Sequence, residues 1–368
     1  GDARADAPAL ADAWRALAAD AVVDDPVRLP GTGLVGFGAL AFDARSAAAS
    51  RVVVPRAVVG RRAGRAWITR IRREDADDAA EPGPTPFGPF WSGTLGPGAL
   101  DPDGYQDAVR RALTAIRSGD IAKVVLARDL VGTVPAGADL RRLARTLASG
   151  YPDTWTFAVD GIVGASPETL VTVRGGAVTA RVLAGTAPRG ADPDADAAAS
   201  LTLATSSKDL DEHEYAVQSV VGALRPVTSA VAAAEQPFAL SLPNVWHLAT
   251  DVEAQLANGA SALDLVAVLH PTAAVAGTPT ATAMDVIRRL EPFDRRRYAG
   301  PVGWIDACGD GEWAIALRCA QFGSPTDGTP PVRPVVAHAG AGIVAGSEPE
   351  AELLETRAKF RPIVDALA

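Results

Sequence analysis

Residues 121–131 read Ile-Ala-Lys-Val-Val-Leu-Ala-Arg-Asp-Leu-Val, and the class of fold turns on how this stretch is read. Its β-branched and apolar residues and its period-two alternation make it a strand, with Lys123, Val125 and Ala127 on one face. Just upstream, Ala108, Val109, Ala112, Leu113 and Ile116 recur at helical spacing after Tyr105, and Ser118-Gly119-Asp120 ends that helix. Lys123 thus stands near a strand's start, an amine among small apolar neighbours and partly desolvated.

Working outward, residues 155–164 (WTFAVDGIVG), 169–173 (TLVTV), 177–186 (AVTARVLAGT), 312–322 (EWAIALRCAQF) and 334–344 (PVVAHAGAGIV) are further strand expectations. In the N-terminal part, Arg51 to Val54 and Arg65 to Ile71 read the same way. Strands come in hairpin-like runs with helices placed irregularly between them. That order predicts an α+β fold with large antiparallel sheets rather than a doubly wound one. The Pro/Gly-rich stretches Glu81 to Pro102 and Ser324 to Pro334 are the expected breaks. Gly31-Thr-Gly33-Leu-Val-Gly36 matches a dinucleotide-binding pattern by letter, but it follows Leu-Pro rather than a strand, so a tight turn is expected.

Composition narrows the function classes. A formal net charge of −9 in 368 residues argues against nucleic acid or an anionic membrane surface as the main partner. The short basic clusters Arg61-Arg62, Arg72-Arg73 and Arg295 to Arg297 read as solvated surface. No apolar run approaches the ~20 residues of a spanning helix. The N-terminal residues show no cationic flank leading into an apolar stretch, and Cys308 and Cys319 are the only cysteines. A soluble cytoplasmic protein with free thiols is expected. Of 35 basic residues only Lys123, Lys208 and Lys359 are lysine. A lysine kept against such a bias suits a position that needs an amine, since arginine cannot give up its proton.

Several constellations could carry chemistry. SSKDLDEHEY opens a helix with inner stripe Val217, Val220, Val221 and Leu224, and Asp209 and Glu212 share a face beside His213. Towards the C-terminus, Ser347-Glu-Pro-Glu350 reads as a capping box, after which Glu352, Glu355 and Lys359 stack at i, i+3 and i+7. Each acidic pair alone equally fits a solvated helix face. If both face one cavity, four carboxylates cannot all stay ionised without a cation, and an all-oxygen site suits Mg²⁺. Leu183-Ala-Gly185-Thr186 and Ala339-Gly340-Ala-Gly342 read as ligand loops, because glycine lets backbone N–H groups approach an anion. Tyr298 and Arg318 offer a hydroxyl and a guanidinium for a carboxylate, Arg318 from an otherwise apolar strand. His213, His247, His270 and His338 lack the spacing of a zinc site.

The ordered segments KVVLAR, SPETL, LAGTAPRG, SSKDLDEH, VWHLAT, LHPTAAVAG, YAGPVGW, GDGEWAIALRCA and AGAGIV with SEPEAELLETRAKF closely resemble the chorismate-utilising enzymes, in particular the isochorismate synthase branch. The resemblance runs from about Gly36 to the C-terminus and is densest from Ile121 onward. It implies a single domain over residues 1–368, with 1–100 its less patterned N-terminal part and 101–368 its motif-rich catalytic part. It also implies an isomerase that converts chorismate to isochorismate for menaquinone or siderophore synthesis. By resemblance, Lys123 is the general base toward water attacking ring carbon C2, and Glu168 protonates the leaving C4 hydroxyl. Glu212 and Glu355 bind Mg²⁺, with Asp209 and Glu352 around the metal. Gly185 and Thr186 lie beside the ring carboxylate, while Tyr298, Arg318, the amides near Gly340 and Gly342, and Lys359 cradle the substrate's carboxylates.

Three positions separate the branches of that family. Aminating relatives carry glutamine at Lys123 or a nucleophilic lysine at Ala184, and salicylate synthases and aminating enzymes carry threonine at Ala274. His247 in VWHL points the same way as Ala274. The resemblance therefore implies a small-molecule enzyme acting as a monomer without a glutaminase subunit. The rivals are a salicylate synthase, which would eliminate pyruvate from isochorismate, and a non-catalytic chorismate binder. Two departures stand out: Asp209 replaces the glutamate of many relatives, and PTAAVAG lacks a second proline. The roles require Lys123 to act as a free amine and Glu168 as a carboxylic acid, states opposite to those of the free side chains near pH 7.

Overall fold

This computed structural model describes residues 6–76, 83–241, 245–257 and 259–368, apart from the side chains of Thr186, Lys208, Glu212 and Val245. The chain begins with helix α1 (Ala7–Asp20), then strands β1 (Val35–Ala39) and β2 (Arg51–Val53), the hairpin β3 (Ala57–Arg62) and β4 (Arg65–Arg70), and β5 (Thr94–Pro97). Helix α2 (Pro102–Arg117) starts where Asp101 accepts from the Gly104 N–H at 2.8 Å with Pro102 in the first turn, which needs no amide there. It buries the expected stripe Ala108, Val109, Ala112, Leu113 and Ile116.

Strand β6 (Lys123–Pro135) begins at the lysine, as its pattern predicts, and is followed by α3 (Leu140–Gly150). WTFAVDGIVG is not one strand but the hairpin β7 (Trp155–Val159) and β8 (Ile162–Ser166), because Asp160 and Gly161 take left-handed φ values of 43° and 84° and turn the chain back. Then come β9 (Thr169–Arg174), β10 (Ala177–Pro188), α4 (Pro193–Thr205), α5 (Ser207–Leu224), β11 (Thr228–Ala233), β12 (Phe238–Ser241) and β13 (Val245–Leu256). The remainder is α6 (Ala262–Leu269), β14 (Gly277–Thr278), α7 (Thr280–Leu290), β15 (Pro301–Asp306), β16 (Gly311–Ile315), β17 (Cys319–Phe322), β18 (Val332–Ile343) and α8 (Pro349–Leu367).

Two large sheets organise these elements, and the fold is α+β with helices packed outside antiparallel sheets. The nine-stranded sheet runs β11-β13-β10-β9-β16-β15-β1-β2, with β12 also on β13. The seven-stranded sheet runs β14-β6-β18-β17-β8-β7, with β5 also on β6. The main core draws on both, from Val171, Ile305 and Trp313 of the first to Val124, Leu126 and Ala341 of the second. Trp313 is fully buried, and each such side chain stabilises by ~1.5–3 kcal/mol relative to exposure. A second cluster lies where α3 and α8 cover the seven-stranded sheet, around Leu143, Leu147, Phe360 and Ile363. Gly31 to Leu34 forms a turn entering β1, which holds Gly36, with Gly31 and Gly33 at positive φ, and among the described residues β1 is followed by β2 rather than by a dinucleotide-type helix.

Candidate active site

Two of the places where the chain passes between the two sheets touch each other. It leaves the seven-stranded sheet after Ser166 and enters the nine-stranded one at Thr169; it returns between Ile315 and Cys319. At these crossings the Ala165 N–H donates to the Arg318 carbonyl at 3.1 Å and the Ile315 N–H to the Glu168 carbonyl at 3.0 Å. Glu168 and Arg318, far apart in sequence, become neighbours through topology. The Glu168 N–H donates to Ser166 Oγ at 3.2 Å and holds the first turn. Arg318 is therefore not in a strand as expected: the apolar run EWAIALRCAQF hides a change of sheet, and Arg318 takes φ 48° at the bend.

Burial pushes the Glu168 carboxyl above its ordinary value, and the positive charges of Lys359, Arg318 and Lys123 only partly offset that. The same environment pulls the Arg318 guanidinium down through burial, against the pull of Tyr298, Glu355 and Glu168. Tyr298 is pushed up to about 12 by burial and stays a phenol able to donate. Its ring stacks on His338 at 5.2 Å between centroids. His247 is pulled down to about 4, first by burial, and its neutral ring donates from Nδ1 to the Gly185 carbonyl at 3.3 Å.

Lys123 and the second glycine segment form one unit. Contrary to the loop expectation, Ala339 to Gly342 lies inside β18, with Gly340 opposite Ala127 and Gly342 opposite Val125 of β6. The glycines serve close approach: a Cβ on Gly342 would stand 3.1 Å from Lys123 Cε, and one on Gly340 would stand 2.7 Å from the Leu126 carbonyl oxygen. Among the described residues, β17 pairs with β18 only over Val335–Ala337, so the glycine stretch keeps its second edge outside that ladder. On that stretch the Gly340 carbonyl accepts from Lys359 Nζ at 2.8 Å.

Lys359 also pairs with Glu355 at 2.5 Å. Glu352, one turn earlier on α8, is pushed up by burial and by the charge of Glu355, while a hydrogen bond with Ser347 opposes the shift. Ser347 is thus not the helix cap. The cap falls at Glu348 with Pro349 in the first turn, and the Ser347 hydroxyl accepts from the Val344 N–H at 3.1 Å instead, so the expected capping box does not form.

The first glycine segment is also in a strand, but with a bulge. Pairing of β10 with β13 slips between Ala184 and Thr186, and Gly185 supplies φ 79° there. His213 Nδ1 donates to the Ala184 carbonyl at 3.1 Å and Nε2 accepts from the Thr250 hydroxyl at 2.7 Å, which pins α5 against the bulge. Asp209, on the first turn of α5, consequently has its Cβ 3.4 Å from where a Gly185 Cβ would stand. The expected ligands Glu212 and Thr186 have side chains outside the described residues.

His247, beside that bulge, feels the charges of Lys359, Glu355 and Arg318, so the acidic face of α8 and the start of α5 border one space. Among the described residues no three His, Cys, Asp or Glu side chains gather closely enough to hold a metal ion by themselves. The donor chemistry nevertheless fits a hard cation: the acids offer only oxygen, and Glu352 is pushed up by burial and, to a lesser degree, by the charge of Glu355, which a cation would relieve.

A cavity of about 330 Å³ opens on Lys123, Glu168, Ala184 and Ala274. That volume lies at the lower end of the ~300–1,000 Å³ of small-molecule sites. Leu170, Val182, Ala216, Val220, Val268 and Leu269 make its wall apolar, and His270, Thr272, Thr278 and Thr280 add polar groups. The His270 Nε2–H donates to the Phe42 carbonyl at 2.9 Å, and burial pulls the ring down to about 4, so Nδ1 is a bare acceptor. Among the described residues, His270 Nδ1 and Thr272 Oγ1 are buried without a hydrogen-bond partner. Such orphans suit a wall that meets a polar ligand.

Sequence reasoning missed Thr272 and the buried guanidiniums. Arg295 and Arg297 are only 3% and 8% exposed, which overturns the solvated reading for these two, while Arg296 between them is exposed as expected. A legible signal was Glu291, four residues before Arg295.

Two antiparallel sheets with a buried acid at their crossings and an amine on the strand beside it are the frame of a small-molecule enzyme, and the chain belongs to the chorismate binding enzyme family, whose model matches residues 94–368. It is 39% identical over 279 residues to isochorismate synthase DhbC of Bacillus subtilis, covering 73% of this chain and 68% of the relative. Isochorismate synthase EntC of Escherichia coli is 36% identical over 266 residues, 71% of this chain and 66% of the relative. The solved structure of the menaquinone-specific isochorismate synthase MenF of Escherichia coli superposes with a TM-score of 0.76 at 26% identity, covering 91% of this chain and 79% of that one.

Proposed function

We propose that this chain is an isochorismate synthase. The observation that carries the reading is Glu168 raised toward its acid form by burial, in one cavity with Lys123 and Ala274. Lys123 takes a proton from water as that water attacks C2, and Glu168 delivers a proton to the C4 hydroxyl, which leaves as water. One water is consumed and one released, so the product is an isomer. Tyr298 and Arg318 hold the enolpyruvyl carboxylate, with Lys359, the backbone at Gly340 and Gly342, and His247 completing the cradle. Gly185 and Thr186 flank the ring carboxylate.

Mg²⁺, held by Glu212 and Glu355 with Asp209 and Glu352 around it, would supply the positive charge that fixes the ring carboxylate. Lys359, paired with Glu355, would be the cation available to a substrate carboxylate. Ala274 presents only a methyl group where salicylate synthases are expected to carry a hydroxyl, which favours release of isochorismate over loss of pyruvate.

We read residues 1–368 as one domain, supported by β1 and β2 completing the sheet that β15 and β16 extend. The chain works as a soluble cytoplasmic monomer without a glutaminase subunit in this reading. Among the described residues no helix is long and apolar enough to cross a membrane. Product analysis after incubation with chorismate and Mg²⁺ tests the proposal: isochorismate is expected, and stoichiometric salicylate with pyruvate would contradict it.

A further inference from the structure

Glu291, at the end of α7, and Arg295 form an ion pair whose side chains are only 1% and 2% exposed. The pair is bidentate, with Arg295 Nη2 2.6 Å from Glu291 Oε1 and Nε 2.8 Å from Oε2. Its remaining hydrogen bonds leave the pair. Arg295 Nη1 donates to the Val275 carbonyl at 2.9 Å, Nη2 donates to the Val125 carbonyl at 2.7 Å, and Glu291 Oε1 accepts from the Ala127 N–H at 2.8 Å. The Phe42 ring lies 4.4 Å from the guanidinium carbon and closes the other side.

Val275 follows Ala274, and Val125 and Ala127 follow Lys123 on its strand. The same two segments are tied by the Ala122 N–H to the Thr278 carbonyl at 2.8 Å and by the Val125 N–H to the Ala276 carbonyl at 2.9 Å. A buried ion pair is a poor stabiliser by itself, because desolvation consumes most of its attraction. Here one rigid planar fork reaches two neighbouring backbone segments that contribute Lys123 and Ala274 to the cavity wall, a task that a lysine or an apolar pair cannot perform.

We propose that Glu291 and Arg295 are positioning residues that set the distance between Ala274 and Lys123, and through it the rate and the product of the reaction. The proposal rests on the isochorismate synthase reading for its product, not for its rate. A misplacement of about 1 Å at reacting groups costs roughly a hundredfold in rate.

The test compares wild type with Arg295→Lys, which keeps the charge and loses the fork, and with the double variant Glu291→Leu/Arg295→Met, which leaves no buried charge unpaired. Chorismate consumption, KM and the pyruvate fraction are measured per folded molecule, with thermal melting as the control for folding. The account expects KM within about threefold of wild type, kcat lower by roughly ten- to a hundredfold, and a larger pyruvate fraction in both variants. Arg295→Lys carries the test if the double variant does not fold. Wild-type kcat and product ratio per folded molecule in a variant whose melting temperature has dropped would overturn the proposal, since that is what a purely structural pair gives. A wild-type enzyme that forms no isochorismate defeats the functional reading instead, and the clamp is still judged by kcat.

Discussion

The strand-borne half of the site and its helix-borne half are held by different forces. Gly340 and Gly342 sit in an unbroken antiparallel ladder from Val124 opposite Ile343 to Pro135 opposite Val332, Lys123 opens the same strand opposite Thr278, and Val124, Leu126 and Ala127 are wholly buried. Asp209, Glu352, Glu355 and Lys359 stand on α5 and α8, partly exposed, with Lys359 serving as counter-charge to Glu355. Strand pairing fixes positions before any ligand arrives, as acid–base chemistry requires. Helix faces present charges that can exchange partners, as the proposed binding of a cation and an anionic substrate would require. A moderate pairing such as Lys359 with Glu355, 27% and 38% exposed, is easily given up.

Breaking the helix-borne half as a whole should have the largest effect. Exhaustive chelation is expected to remove turnover, with Mg²⁺ restoring it, and Glu355→Gln should demand far more metal. Full activity in metal-stripped enzyme would return these acids to the role of surface charges.

Lys123→Gln in the strand-borne half and Glu168→Gln at the adjoining sheet crossing should each lower kcat by roughly 10²–10⁴, the usual worth of a positioned acid or base, with melting unchanged. Near-normal turnover in either variant would remove that residue from the chemistry.

Two neighbouring glycines sharpen the contrast further. Gly342→Ala pushes on the Lys123 stem, so kcat should fall about tenfold, the equivalent of ~1.4 kcal/mol, with little loss of stability. Gly340→Ala pushes on the backbone of β6 and should instead cost ~1–3 kcal/mol of stability, as overpacking does. Equal effects of both on melting and on kcat would show that Gly342 makes no special room for the lysine. Ala274→Thr tests the cavity wall: the pyruvate fraction should rise measurably, and an unchanged product ratio would free Ala274 of that role.

The smallest effect concerns His338, pulled down to about 3 by burial and by Arg295 and Arg296. The unfolded ring titrates near ~6.5, so between the two values the unfolded chain holds a proton that the native ring lacks. This contribution to stability is complete above pH ~6.5 and is lost as pH falls toward the folded value. His338→Phe keeps a ring against Tyr298, so its melting temperature should fall less steeply than wild type from pH 7 to pH 5, by a few degrees at most. Asp306, raised to about 6 by burial, acts with the opposite sign in both proteins and cancels from the comparison. Parallel curves would contradict the assignment.

Much of this arrangement was legible where local pattern and local structure agree. The period-two run after a capped amphipathic helix gave β6 and put Lys123 at its start, and Asp209, Glu352, Glu355 and Lys359 were readable as helix faces. What was not legible depends on distant approach. Glycine in AGAG signalled a loop, but the cause is the backbone of β6 lying against it. The apolar run through Arg318 looked continuous because both flanking strands are buried, each in a different sheet. Arg295 looked solvated in an Arg-rich chain, and only tertiary structure brings Val125 and Val275 to its donors. Glu168 stands out through family resemblance alone, since its placement follows from a sheet crossing that its neighbours do not announce.

The central claim is that Lys123 and Glu168 exchange a water for the C4 hydroxyl rather than move the hydroxyl within the molecule. Converting chorismate in heavy-oxygen water with Mg²⁺, and reading the isochorismate by mass spectrometry, tests it most directly. The account predicts one heavy oxygen per isochorismate, located in the C2 hydroxyl. Isochorismate formed without solvent oxygen would contradict it.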